Sequence, residues 1–241
     1  MKLSKRRCVV LVLTFSLIIN VLVLNISAIG TEFSTEELSE ADCKTFINNI
    51  NATLMSEAPD KGGIVCFDVN DNGKIAVGQK GVSRKEVCIY SSNGTFLYGY
   101  SFNCTGSFAV EWNSDNLNIY FVRSGVIISV DPSGEVLEVK SVPDTANNNR
   151  YLRELLYSRV RIVGESKYIV RNDMGLLNLL ATSYSQVLIV DSDGIERIIY
   201  DVNVVQLTQT VVLLVIATIL FLVAAILITR EFIKAKRGKA V

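Results

Sequence analysis

At 241 residues, with 49% hydrophobic side chains and a mean hydropathy of +0.34, the chain is too apolar on average for an ordinary soluble domain. Its 24 Lys and Arg balance 24 Asp and Glu, and it contains no histidine. That absence excludes Ser-His-Asp and Cys-His nucleophile systems, His-ligated zinc and His general bases.

The chain opens with a basic stretch, Lys2, Lys5, Arg6 and Arg7, followed by 22 residues from Cys8 to Ile29 without a charge. A helix of that length crosses about 30 Å of hydrocarbon. Basic residues resist translocation, which places residues 1–7 in the cytoplasm. The segment 8–29 also admits a second reading as a cleavable signal peptide, with Ala28 and Gly30 as small residues at a processing site. Its length favours a retained span, because signal h-regions run to about 15 residues.

Residues 30–63 read as a helical lead-in. Glu32, Glu36, Glu37, Glu40 and Asp42 make its start acidic, and Leu38, Phe46, Ile47, Ile50 and Leu54 predict a helix over Thr35 to Ser56. Cys43, Cys66, Cys88 and Cys104 lie between the two apolar segments, an even number that permits two disulfides in an oxidising compartment. Cys66 and Cys88 fall on first and third predicted strands, about 10 Å apart and too far to bond. Pairing of Cys43 with Cys66 or Cys104 and buried free thiols stand as the alternatives.

From Ile64 the period changes to that of strands, and a mainly β ectodomain over 64–205 is predicted. Three segments align on a glycine: VCIYSSNG ending at Gly94, IISVDPSG ending at Gly134 and VLIVDSDG ending at Gly194. Each is an apolar run, a polar turn and a second β-rich run, the signature of a hairpin. Upstream of each lies another pair of runs: IVCFDVN with KIAVGQ, SFAVEWN with LNIYFVR, and KYIVRND with LLNLLAT, led by Phe67, Phe108 and Tyr168. The pattern predicts antiparallel four-stranded units at about 64–104, 105–142 and 163–203, with an insertion at 143–162. Such a unit resembles a β-propeller blade of the PQQ-like or YVTN type. A closed propeller needs at least four blades, so the resemblance implies a degenerate fourth unit, two chains combining, or an open layered array. A generic antiparallel meander is the plainer alternative.

Two sites stand out within this region. Asp68, Asn70 and Asn72, with Gly73, match the opening half of a calcium loop, but the positions that would complete it are Ala76 and Gln79. The same residues suit a plain turn between strands. The insertion carries Arg150, Tyr151, Arg153, Tyr157, Arg159 and Arg161, residue types that anchor interfaces. Leu152, Leu155 and Leu156 predict a short amphipathic helix there, either presenting a partner-binding surface or only capping the β layer. Arg159 and Arg161 have further readings, as partners of domain carboxylates or of anionic headgroups.

A second apolar segment, 206–229, holds 19 uncharged residues from Val211 to Thr229 and leads into the basic tail 230–241, with Arg230, Lys234, Lys236, Arg237 and Lys239. Both flanks therefore point to a two-pass protein of the cell membrane with cytoplasmic termini and an outward central domain. Residues 31–210 carry 15 Lys and Arg against 23 Asp and Glu, a net charge of about −8 that argues against nucleic acid. Phosphate-cradling glycine loops are missing from the sequence. The expectation is a non-enzymatic, membrane-anchored binding protein with no cofactor and with a protein partner or a second copy of itself as ligand. A structural subunit of a larger membrane assembly is the alternative.

Overall fold

The computed structural model describes residues 29–81 and 84–237. The first apolar segment as far as Ala28 lies outside the described residues, as do residues 238–241 of the basic tail. The chain divides into two units, Met1–Gly30 and Thr31–Val241, and every helix and strand among the described residues belongs to the second.

The stretch expected to be one helix from Thr35 to Ser56 is three elements: strand β1 (Glu36–Glu37), helix α1 (Glu40–Ile50) and strand β2 (Thr53–Met55). Ser39 sets the helix start, its Oγ accepting the Asp42 N–H at 3.1 Å and so satisfying a donor that a first turn leaves unpaired. Asn51 ends it in a left-handed conformation, φ 45°, which Asn tolerates better than most side chains. The chain on each side is thus released to extend, and each extension adds to the edge of a sheet.

The strands form three antiparallel sheets. The first comprises β3 (Ile64–Val69), β4 (Ile75–Lys80), β5 (Lys85–Tyr90) and β6 (Phe96–Phe102), with β2 added outside β6. The second comprises β7 (Phe108–Asn113), β8 (Asn116–Phe121), β9 (Val126–Val130) and β10 (Val136–Ser141), with β1 added outside β10. The third comprises β11 (Val160–Val163), β12 (Ser166–Arg171), β13 (Gln186–Val190) and β14 (Glu196–Asp201), and among the described residues it has no fifth strand. The four consecutive strands of each sheet form a meander, while the added edge strands β1 and β2 pair with strands distant in sequence. Among the described residues the sheets do not close into a propeller.

The three hairpin turns share one geometry. Gly94, Gly134 and Gly194 donate to the carbonyls of Ser91, Asp131 and Asp191 at 2.9, 3.0 and 2.9 Å, with φ of 85°, 89° and 76°. That region of φ is cheap only for glycine.

The third sheet differs from the strand runs expected of it. Its first strand, β11, comes from the end of the supposed insertion and pairs with β12 through Val160 opposite Ile169. Tyr168 therefore lies on a second strand, whereas Phe67 and Phe108 lie on first strands. The LLNLLAT run is not a strand: Gly175–Leu180 forms a 3-10 helix, η1.

The first sheet is buried on both faces. One core cluster joins Ile89 and Phe102 to Phe108 and Ile128 of the second sheet; the other joins Phe67 and Tyr90 to Tyr168 and Ile189 of the third. Strand β4 is accordingly buried at five successive positions, Ile75 to Gln79, and carries apolar residues or glycine at the first four rather than alternating. At Gly78 within it, an added Cβ would run into Cys66 Sγ and lie 2.9 Å from Phe108 Cε2, so packing rather than backbone freedom selects glycine.

Of the two readings of the cysteines, the structure has the free-thiol one: Cys43, Cys66, Cys88 and Cys104 are unpaired. Cys66 belongs to one core cluster and Cys88 to the other, while Cys43 Sγ faces the Val139 carbonyl at 3.9 Å and Cys104 Sγ donates to Gly106 O at 3.5 Å. Burial pushes the Cys66 thiol far up and the Cys88 thiol up to about 12, so both stay protonated and unreactive.

Beyond β14 the chain enters helix α3 (Asn203–Arg237). Within its part Asn203–Arg230 the most apolar 18-residue stretch has a mean hydropathy of 3.4, with none of it buried, and the helix is long and apolar enough to cross a membrane.

Candidate functional site

The first strands of the three sheets meet at one carboxylate. Asp68 on β3 accepts from Arg161 Nε of β11 at 2.7 Å through Oδ1, and from the Trp112 backbone N–H of β7 at 2.7 Å through Oδ2. The side chains of the Arg161–Asp68 pair are 18% and 12% exposed. The Arg161 guanidinium also sits 5.3 Å from the centroid of the Phe67 ring, a cation–π placement.

Helix α2 (Ala146–Tyr157) roofs this junction. Thr145 caps its start, Oγ1 accepting the Asn148 N–H at 3.2 Å, and buried Asn148 pins the lead-in by accepting from Ser34 N at 2.9 Å and donating to Ser34 O at 3.0 Å. Leu155 turns inward while Arg150 and Arg153 turn outward, as the helical spacing predicts. Tyr151 anchors the middle of the helix, donating its hydroxyl to Glu111 of β7 and packing edge-on against Phe33 at 4.8 Å.

Between α2 and the inner strands lies a cleft of about 880 Å³. Arg150, Arg153 and Tyr157 form its upper wall; Asp68, Trp112 and Arg161 form its base. Asp68 neutralises Arg161. Arg150 and Arg153 are exposed and have no ion pair or hydrogen bond among the described residues, with exposed Glu154 on the same rim and exposed Glu32 in an adjoining pocket beside Arg150. The cleft thus offers two uncommitted guanidinium forks beside an indole and a phenol, an arrangement that can bind carboxylates bidentately and pack apolar surface.

Burial lifts the Glu111 carboxyl above its ordinary range, and the hydrogen bond from Tyr151 opposes that only in part. Burial, then the hydrogen bond and charge of Glu111, push the Tyr151 phenol far up, so it stays protonated and donates. A raised folded-state pKa means that the folded chain holds the Glu111 proton more tightly than the unfolded chain does. Stability from this group is complete below its ordinary carboxylate value and falls as pH rises through the raised one. Glu111→Gln keeps an acceptor for Tyr151 and has no proton to lose. Its Tm relative to the native chain is expected to improve as pH rises above the ordinary carboxylate value; a difference independent of pH would show that Glu111 does not titrate in this way.

Of the six insertion residues, five line this cleft. Arg159 does not: its Nε donates to the Tyr184 hydroxyl at 2.9 Å and its guanidinium covers that ring at 5.3 Å, beside a separate pocket of about 380 Å³. The half calcium loop is likewise dispersed. Both Asp68 oxygens serve Arg161 and Trp112, and Asn70 Oδ1 accepts from the Asn72 and Lys74 amides at 3.0 and 2.8 Å, the turn role that Asn fills by bonding its own backbone. Among the described residues no group of three or more His, Cys, Asp or Glu is arranged to hold a metal ion. Sequence reading missed Glu111 and Trp112 as members of the site; the chain has a single tryptophan, which was the available signal.

No protein-family model, no curated protein and no solved structure matches this chain.

Proposed function

We propose that this chain is a non-enzymatic binding module, fixed to a membrane by its apolar segments, that docks a carboxylate-bearing segment of a protein partner in the cleft beneath α2. The observation that carries the reading is the pair of unpartnered guanidinium groups, Arg150 and Arg153, held by a capped helix over an aromatic-lined cavity. Arg and Tyr are favoured as interface anchors because they bring area and directed hydrogen bonds at low entropic cost. Tyr157, 70% exposed at the end of α2, extends the same surface.

On this reading the three meanders are blade-type units in an open array, which the shared glycine-closed turn supports. The basic flanks Lys2 to Arg7 and Arg230 to Lys239 support cytoplasmic termini and an outward cleft. Reversing two charges tests the proposal: Arg150→Glu with Arg153→Glu is expected to weaken binding of an acidic peptide by the full-length chain at least about tenfold. Undiminished binding would remove the cleft as the docking site.

A further inference from the structure

Leu176 and Leu179 of η1 are each 89% exposed, and Leu180 is 52% exposed. Large apolar side chains clustered in this way on an otherwise well-packed domain mark a surface with a partner. The position of η1 identifies the partner. Its two flanks are fastened to the first turns of α3: Asn203 Nδ2 donates to Asp173 O at 2.7 Å before η1, and Gln206 Nε2 donates to Ser183 O at 2.8 Å after it. The segment is also braced internally, Asn178 Oδ1 accepting the Met174 N–H at 2.9 Å, with Met174 itself buried. The leucines are thus held outward by a fixed loop beside the first turns of α3, where Val204 and Val205 are 76% and 50% exposed and about two turns before the apolar run that starts at Val211.

We infer that η1 is a membrane-surface anchor: Leu176, Leu179 and Leu180 enter the outer leaflet alongside α3. The inference rests on reading α3 as a membrane span. Apolar residues at the headgroup boundary typically reach about 5–10 Å into it, and continuity with a span removes the need for a second targeting signal. Such an anchor fixes the tilt of the third sheet on the bilayer, because β13 follows η1 and β14 leads directly into α3.

The test uses the full-length chain in phosphatidylcholine vesicles with and without dibrominated phosphatidylcholine, in a Trp112→Phe background that removes the native tryptophan. Leu179→Trp reports η1, Leu214→Trp reports α3, and Leu137→Trp, on the remote β10, is the aqueous control. Leu179 is exposed, so the larger ring meets no packed neighbour. Emission from Leu179→Trp is expected to shift to shorter wavelength and to be quenched by the brominated lipid, while Leu137→Trp is not. Quenching of Leu214→Trp without quenching of Leu179→Trp would overturn the anchor and leave the span. Quenching of neither would overturn the span and the anchor together. Equal quenching of Leu137→Trp and Leu179→Trp would overturn the anchor as a specific contact.

Discussion

Asp68→Ala is expected to destabilise the β domain by about 3 kcal/mol, because it removes one partner of a largely buried ion pair and leaves Arg161 without its counter-charge. The same change deprives the Trp112 amide of its acceptor, so β3 loses its polar tie to β7 and to β11 at once. The partial exposure of the pair, 18% and 12%, keeps the effect at the low end of the range for buried pairs. In a domain of this size the Tm should fall by roughly 6–12 °C. Asp68→Asn, which keeps an acceptor but not the charge, should fall between the two. A shift of less than about 2 °C for the alanine variant would mean that apolar packing alone holds the first strands together.

Phe108→Ala is expected to cost about 3–5 kcal/mol, the range for emptying a buried aromatic site. The ring is 1% exposed, packs edge-on against Phe102 at 5.2 Å and fills the space above Gly78. Neighbours on β4 and β6 are held by their own ladders and cannot collapse into the void. Thermal unfolding should shift by roughly 6–20 °C. Leu97→Ala, at a site 42% exposed, should stay within about 0.5 kcal/mol, which separates core loss from a general effect of truncation.

The antiparallel β character was legible because its signals are local. Apolar runs separated by Asn, Asp, Ser and Gly announce hairpins, and the glycines at 94, 134 and 194 occupy positive-φ positions that few other residues accept. The helix α2 was legible for the same reason, through Leu152, Leu155 and Leu156. What failed was anything decided by a distant partner. Glu36–Glu37 and Thr53–Met55 have no strand pattern of their own and become strands by pairing with β10 and β6. LLNLLAT carries a strand-like run of leucines but no sheet edge receives it, and it turns into a short 3-10 helix instead.

The site was half legible. Composition marked Arg150, Tyr151, Arg153, Tyr157 and Arg161, because arginines and tyrosines interrupt an acidic domain. It could not separate Arg159, which faces Tyr184, from Arg161, which faces Asp68, since these partners are set by the tertiary fold. Asp68 itself was read through the turn beyond it. Its actual partners lie 44 and 93 residues away in sequence, a separation that no local motif encodes.

Carboxylate binding in the cleft can be read from Trp112, the single tryptophan and a residue of the cleft base, by titrating the full-length chain in detergent micelles with an oligo-glutamate peptide and following the indole emission. The expected result is a saturable change that weakens as salt is raised and that is lost in Arg150→Glu/Arg153→Glu at unchanged Tm. An unchanged spectrum, or the same titration curve in the double variant, would contradict a carboxylate-docking role for Arg150 and Arg153.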